Sequence, residues 1–282
     1  MARPLRIEFD GATYLIIGRA EKHRHVYRDD EDREKFLATL AAQIHRYGWK
    51  CYAYSLLDNG YQLVIETPKG GLTRGMRQLN GVYTQYYNRK YNNSGNVFQG
   101  RYKSILIQKE SFLLPVCRYV NLSPKLQLKE PIHRYKWSSY RATAGVIKAP
   151  DFLDVTSILS RFGKQPKKAK EKFRQYVKEG EREESPLLSV RHQILLGDDA
   201  FVKKMRPCLS NYRSAKRLAA TGRKKIKQPS LAQIFKGVGK LDRDARNALI
   251  RKAHLEYGYT LSAISAKTGL HFTTISKIVN AG

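Results

Sequence analysis

Acidic residues and cysteines are both scarce in this sequence of 282 residues. It has 24 Asp and Glu residues against 53 Lys and Arg, which gives a formal net charge of +29 at pH 7. The positive electrostatic field of such a charge favours a polyanionic partner. The charge does not come from one tail, because both halves of the chain, divided at Pro150, are basic. The simpler alternatives are a charge that only maintains solubility, or a chain that binds anionic lipid.

The low cysteine content indicates a reducing compartment. Cys51, Cys117 and Cys208 are widely spaced and none forms a Cys-x-x-Cys pair, which argues against a disulfide framework. No apolar run approaches the roughly 20 residues of a membrane helix, and the N-terminus leads directly into sequence typical of a folded domain. We therefore expect a soluble, cytoplasmic protein without an export signal or a membrane anchor.

The first 145 residues alternate between strand-like and helix-like patterns. Residues 12–19 indicate a buried strand, and the acidic run from Asp29 to Asp32 precedes a helix that Gly48 ends. Residues 50–57 and 61–66 indicate two strands, joined by an Asn-Gly turn that is typical of a hairpin. A second helix follows residue 71, and residues 103–108 and 111–122 indicate a strand and a further helix. This order predicts an α+β fold with a ferredoxin-like split βαβ sheet, with helices on one face.

The pattern changes after residue 145. We expect a basic helical linker at residues 146–239, because residues 213–227 contain seven Lys or Arg in fifteen positions. Charge runs usually form a solvated face, but cations this close favour contact with phosphate. Phosphate contacts are therefore expected from Arg223, Lys224 and Lys225.

Residues 240–282 are predicted to be a helix-turn-helix domain. Thr260 or Ser262 can cap its first helix, and Gly269 supplies the turn. The second helix would direct short polar residues outward, as suits base edges and phosphates. These residues are His271, Thr273, Thr274, Ser276 and Lys277. An ordinary αα-hairpin is the alternative, but the charge of the chain favours the reading of duplex DNA.

Two strings in the first domain resemble a known family. They are RGMRQLNGVYTQYYNR at residues 74–89 and VFQGRYK at residues 97–103. Both are similar to the REP-associated tyrosine transposases, relatives of insertion-sequence transposases that use a single tyrosine. The resemblance covers residues 3–145 and extends more weakly to residues 196–202.

The resemblance implies cleavage of single-stranded DNA by a tyrosine that becomes joined to the 5′ phosphate. It also implies a divalent metal ion, Mg²⁺ or Mn²⁺, that polarises the phosphate. In that family a His-hydrophobic-His pair on a central strand holds the metal, since alternate residues of a strand share a face. A further ligand, Asn or Gln, lies four residues after the tyrosine, one helical turn along.

This sequence departs from the family pattern at the metal ligands. Residues 59–62 read Asn-Gly-Tyr-Gln where the family has Asn-His-x-His, so both histidines are absent. Gly60 has no ligand atom, and Gln62 offers only a neutral carbonyl oxygen, a poor substitute for imidazole. The tyrosine is retained as Tyr119, but the position four residues later is Ser123. We therefore expect no metal site and no cofactor, and a histidine restored at Gly60 is expected to strain a positive φ angle.

Other residues near these positions leave alternatives open. His23 and His25 have a His-x-His spacing but lie in a charged loop, which favours a solvated or phosphate-contacting role. Asp58 and Glu66 are carboxylates close to the altered positions. Proline at position 115 is expected to shift the register of Tyr119 if the helix has already begun there.

Together these features predict a DNA-binding protein derived from a single-tyrosine transposase. We expect it to be catalytically inactive and to act as a regulator or an architectural factor in the nucleoid, on hairpin or palindromic DNA. Further DNA contacts are expected from Arg74, Arg77, Arg101 and Lys103. One alternative is an active transposase that uses Tyr119 with an atypical metal site. Another is an RNA-binding protein, since an aromatic-rich four-stranded sheet also suits RNA.

Overall fold

The chain folds into two compact units, Met1–Arg213 and Ser214–Gly282. The structure, a computed structural model, describes residues 7–20, 25–205, 207, 229–237, 242–255, 257 and 259–280. Among these residues no helix is long and apolar enough to cross a membrane. The division into three parts, with boundaries at residues 145 and 239, stays a prediction.

The first unit is built around one five-stranded sheet. Its strands are β1 (Ala12–Arg19), β2 (Lys50–Leu57), β3 (Gly60–Thr67), β4 (Lys103–Ile107) and β5 (Leu195–Leu196). The strand order is β2-β3-β1-β4-β5. The first four strands in this order pair antiparallel, whereas β5 pairs parallel to β4. In the register of β1 with β3, Ile17 is opposite Gln62 and Arg19 is opposite Gly60.

Helices cover both faces of this sheet. They are α1 (Asp30–Tyr47), α2 (Leu72–Lys90), α3 (Lys109–Leu128), α4 (Tyr140–Thr143), α5 (Val155–Leu159) and α6 (Pro166–Glu179). Tyr14 and Ile16 pack in the core with α1 and α2, whereas Leu15 and Ile17 pack in the core with α3. Neighbouring residues of a strand point to opposite faces, so α3 lies across the sheet from α1 and α2.

The strand and helix order predicted for residues 12–122 is confirmed. Asp29 caps α1 by accepting a hydrogen bond from the Asp32 backbone N–H, and Gly48 ends it with a φ of 61°. The placement of helices on one face was wrong, because both faces are apolar. Strand β5 was not predicted, because two residues are too few to show an alternation of apolar and polar side chains. Strand β5 and helix α6 both belong to the first unit, which therefore includes residues beyond 145.

Tyrosines form much of the core between α1, α2 and the sheet. Tyr83 and Tyr87 are almost fully buried. The Tyr83 ring contacts Phe36 edge-on, with 5.3 Å between centroids, and its hydroxyl donates to the Val26 carbonyl oxygen at 2.6 Å. A buried hydroxyl needs such a partner. These two tyrosines of α2 therefore belong to the core and do not present faces on which bases could stack.

Helix α3 runs without interruption through Pro115 and Pro124. Leu113 and Val116, on either side of Pro115, are almost fully buried on the sheet side in the same core as Leu15. Since the packing spans the proline, it holds the helix in one register up to Tyr119.

The second unit is helical in its described residues. Its helices are α7 (Leu231–Ile234), α8 (Arg243–Leu255), α9 (Leu261–Thr268) and α10 (Phe272–Asn280). Ile250, Ile264 and Ile275 are fully buried and form its core, one from each of the last three helices. Thr260 caps α9 by accepting from the Ala263 backbone N–H, and Gly269 ends it with a φ of 71°. The capping and turn residues expected from the sequence are thus in place.

Two glycines of α2 give opposite predictions for the same substitution. A Cβ at Gly75 would lie 2.3 Å from Cη2 of Trp49, whereas one at Gly81 would meet no atom within 4 Å. Trp49 is held by its indole N–H, which donates to the Gly70 carbonyl oxygen at 3.2 Å. We expect Gly75→Ala to lower the free energy of unfolding by about 1–3 kcal/mol through overpacking. Gly81→Ala should raise it by about 1 kcal/mol, since Ala is the better helix former. Urea denaturation measures both, and equal effects would contradict the packing described here.

Candidate functional site

Helix α3 places Tyr119 and Ser123 on one side, one turn apart, above strand β3. The Ser123 hydroxyl lies 2.7 Å from the Gln62 side-chain oxygen and 3.0 Å from the backbone oxygen of Tyr119. Ser123 and Gln62 are both almost fully buried. The structure therefore brings together Tyr119, Ser123 and Gln62, three positions identified from the sequence. The hydrogen bond with Ser123 occupies the Gln62 side-chain oxygen, which a metal ion would need as a ligand.

The phenol of Tyr119 is held in its neutral form. Burial raises the pKa of Tyr119 above its ordinary value, and a hydrogen bond with Gln62 and the positive charge of Arg19 oppose the rise only in part. At neutral pH the side chain is therefore a phenol and not a phenolate. A tyrosine in this state is a weak nucleophile unless a base takes its proton.

Gly60 is required by a close approach of two backbones. It pairs with Arg19 in the register of β1 with β3, and a Cβ at this position would lie 2.1 Å from the Gly18 carbonyl oxygen. Its φ angle is not among the positive ones of the chain. The expected strain from a positive φ was therefore wrong, and the constraint is the contact with β1.

The carboxylates near the site are engaged by cations. Asp58 accepts a hydrogen bond from Arg33 at 3.0 Å. Glu66 accepts from Tyr52 and, at 2.6 Å, from Lys109. Burial raises the pKa of Glu66, but the bonds from Lys109 and Tyr52 outweigh it and hold the pKa below its usual value. Both carboxylates are thus neutralised by neighbouring charges.

These residues do not fit the divalent metal that the family resemblance implies. Gly60 supplies no donor atom, and the oxygen of Gln62 is bonded to Ser123. Within the described part of the chain, no group of three or more His, Cys, Asp or Glu residues could hold a metal ion. The backbone oxygen of His25 accepts a bond from Tyr87, whereas His23 lies outside the described residues.

The basic residues predicted to bind DNA lie mostly on the surface of the first unit. Arg74 and Arg77 are exposed on α2, and Arg101 and Lys103 are exposed at the start of β4. The last two line a cavity of about 860 Å³ beside α2, which sequence reasoning missed. Its residues come from four separate segments, so no local pattern could have shown it. The predicted contacts Arg223, Lys224 and Lys225 lie outside the described residues.

Helix α10 exposes most of the side chains predicted to face outward. His271, Thr273, Thr274 and Lys277 are exposed, whereas Ser276 is half-buried. The His271 Nδ1 atom lies 2.9 Å from the Thr273 hydroxyl. Sequence reasoning missed Phe272, an aromatic residue at the start of this helix that is 47% exposed. An apolar residue between the polar residues His271, Thr273 and Thr274 is the signal that could have identified it.

Residues 10–123 match the family model described as "Transposase IS200 like". No curated protein matches the chain. A solved structure described as "Structure of the REP associates tyrosine transposase bound to a REP hairpin" is similar, with 14% sequence identity and a TM-score of 0.46. That similarity covers 55% of this chain and 94% of the other.

The close approach at Gly60 gives a test of the site geometry. We expect Gly60→Ala to lower the free energy of unfolding by about 2 kcal/mol or more, because the Gly18 carbonyl oxygen belongs to the backbone and must move. Gly81→Ala is the matched control, since that position has open space. Urea denaturation of the two variants checks the expectation, and a Gly60→Ala protein as stable as wild type would show that the strands are further apart.

Proposed function

Because residues 10–123 match the model of the IS200-like transposase family, we propose that the chain is a DNA-binding protein whose cleavage centre is inactive. It would derive from a single-tyrosine transposase and act as a regulator or an architectural factor. The observation that carries this proposal is the bond between Ser123 and Gln62, beside a Gly60 that has no side chain.

Two requirements for cleavage are missing from this centre. Attack on a phosphodiester needs an ionised nucleophile, and it needs positive charge close to the phosphate oxygens. Burial keeps the Tyr119 phenol neutral, and among the described residues no carboxylate or imidazole acts on it as a hydrogen-bond partner. Arg19 is the cation that acts on Tyr119, and one guanidinium does not replace both a base and a metal.

Binding of DNA has separate and more robust support. Phosphate contacts need only cations, and the chain has a formal net charge of +29. The side chains of Arg74, Arg77 and Arg101 are exposed and take no part in the bond between Gln62 and Ser123. Loss of the cleavage centre would therefore leave these contacts unchanged. Hairpin or palindromic DNA is the proposed ligand and the nucleoid the proposed location.

We also propose finer assignments for the two units. The strand order and the antiparallel pairing of the first four strands favour a ferredoxin-like sheet domain, extended by β5. Helices α9 and α10 would form a helix-turn-helix, supported by the Thr260 cap, the left-handed Gly269 and the buried pair of Ile264 and Ile275. The exposed face of α10 would then enter the major groove.

The proposed inactivity predicts that the purified protein forms no covalent adduct with single-stranded hairpin DNA in Mg²⁺ or Mn²⁺. A denaturing gel of the mixture should show no DNA-linked protein band. Tyr119→Phe should leave DNA binding nearly unchanged, since the Tyr119 hydroxyl is not among the proposed phosphate contacts. A wild-type adduct that Tyr119→Phe abolishes would establish the alternative, an active transposase with an atypical site.

The proposed helix-turn-helix predicts two different responses to mutation. Replacing Thr273, Thr274 and Lys277 with Ala should weaken binding to a selected duplex by roughly 1–3 kcal/mol for each base edge that the helix no longer touches. Replacing Lys224 and Lys225 should weaken binding to all sequences and reduce the salt dependence. Fluorescence anisotropy at several salt concentrations separates the two effects. Indistinguishable behaviour of the two sets of variants would contradict base reading by α10.

A further inference from the structure

Helix α6 carries a cluster of exposed cations outside residues 10–123, which match the transposase family. One side of the helix is closed, because Phe173 and Val177 are almost fully buried in the core that contains α3. The other side is rich in exposed lysine and arginine, and one more lysine precedes the helix. We call these residues the α6 surface: Lys164, Lys167, Lys168, Lys172, Arg174 and Lys178.

The acidic residues at the end of α6 are engaged by other groups. Glu183 accepts a hydrogen bond from Arg118 of α3, and Glu181 accepts one from Lys125 of the same helix. In contrast, none of the lysines of the α6 surface forms an ion pair within the described part of the chain. The acids therefore attach this segment to α3, and the charges of the lysines stay available to a partner.

The first turn of α6 contains cations where helices usually have acids. Lys167 and Lys168 follow Pro166 at the start of the helix, and no acidic residue lies in this turn. The positive end of the helix dipole repels cations, so these lysines lower the stability of the helix. Residues that break a rule of local stability without a compensating contact are often functional. An anionic partner would compensate here, since it is attracted by the lysines and by the end of the helix.

The backbone of duplex DNA fits the α6 surface best among polyanions. Anionic lipid is disfavoured, because the apolar side of α6 is buried and cannot enter a membrane. Single strands are disfavoured, because the rings beside α6 are not available for stacking on bases. The Phe162 and Tyr176 rings are half-buried against each other, with 5.5 Å between centroids, and the Arg118 guanidinium covers Tyr176 at 4.2 Å.

The length of the α6 surface also suits a duplex. From Lys167 to Lys178 the helix spans about 16 Å, at 1.5 Å per residue. A duplex carries roughly ten phosphates over this distance, counted on both strands. Each exposed cation of the helix can therefore meet a phosphate without any bend in the DNA.

The α6 surface and the cations of α2 lie on opposite sides of the sheet. Phe173 and Val177 share a core with Leu15, whereas α2 packs in the core that contains Tyr14. Neighbouring residues of a strand point to opposite faces, so the two helices are separated by the sheet. A duplex this short behaves as a stiff rod. One straight segment therefore cannot contact both surfaces.

We propose that the α6 surface binds the backbone of a second duplex segment, so that the first unit holds two segments, one on each side of its sheet. This inference rests on the proposed DNA binding of the chain. It gives the proposed architectural role a physical form, which is the joining of two duplexes. Contacts to phosphates carry no sequence information, so the second segment needs no particular sequence.

Neutral variants separate the α6 surface from the overall charge of the chain. The α6 variant combines Lys167→Gln, Lys168→Gln and Lys172→Gln. Glutamine is a good helix former, and the change removes cations from the first turn, so the variant should fold as stably as wild type. The matched control loses the same charge through Gln substitutions at three exposed lysines on other parts of the first unit, Lys35, Lys50 and Lys69.

The experiment measures the capture of one duplex by another. A biotinylated duplex on beads is loaded with the full-length protein at physiological salt, washed, and mixed with a fluorescent duplex of unrelated sequence. The captured fluorescence is divided by the amount of protein on the beads. We expect wild type and the control variant to capture the fluorescent duplex equally. The α6 variant should capture on the order of tenfold less, because three cations that would contact phosphates are lost.

The outcomes separate this proposal from the proposed function. If the α6 variant captures as much duplex as wild type, or if the control variant loses as much capture as the α6 variant, the α6 surface does not hold a second segment. Wild type that binds the beads but captures no duplex also overturns the proposal, although DNA binding stands. Failure of wild type to bind the beads would overturn both. Preferential capture of a fluorescent RNA duplex, or of vesicles of anionic lipid, would assign the surface to another polyanion, against the proposal.

Discussion

The close pairing of β1 with β3 is the constraint on which the altered centre depends. A Cβ at Gly60 would meet the Gly18 carbonyl oxygen at 2.1 Å, and a Cβ at Gly18 would meet the Tyr61 ring at 2.3 Å. The two strands occupy the middle of the sheet, so neither can move without disturbing its other neighbour. With this spacing, a side chain at position 60 requires the backbone of β1 to shift, so a metal ligand at that position would destabilise the sheet.

A hydrogen bond between Ser123 and Gln62 lies in the interior, between α3 and β3. Both groups are almost fully buried, and a buried oxygen without a donor destabilises the fold by about 1–3 kcal/mol. The hydroxyl of Ser123 satisfies the Gln62 oxygen at 2.7 Å, whereas the side-chain nitrogen of Gln62 is buried without a hydrogen-bond partner. The same bond ties α3 to β3. The residues have become part of the packing between helix and sheet.

The sequence predicted the elements well where periodicity is local, and the site only in part. The strand at residues 12–19 and the cap at Asp29 follow from neighbouring residues, and both are observed. The family resemblance identified Tyr119, Gln62 and Ser123, but their mutual contacts needed the structure. The sequence did not show why position 60 is glycine. The Gly18 carbonyl oxygen that a Cβ would meet lies on another strand, 42 residues away in sequence. Strand β5 and the cavity depend on pairings between distant segments, which no single stretch of sequence reveals.

Chemistry and binding respond differently to substitution, and the function proposed for this chain rests on that difference. Cleavage requires a nucleophile, a base and a cation at one point, so one substitution in that group removes the activity. Binding to DNA is a sum over many separate cations, of which any one contributes a small part. The basic residues of α2 and β4 lie on the surface and take no part in the buried contacts of Gln62 and Ser123. Selection for binding alone would therefore maintain the surface charge and leave the centre free to become an ordinary part of the core.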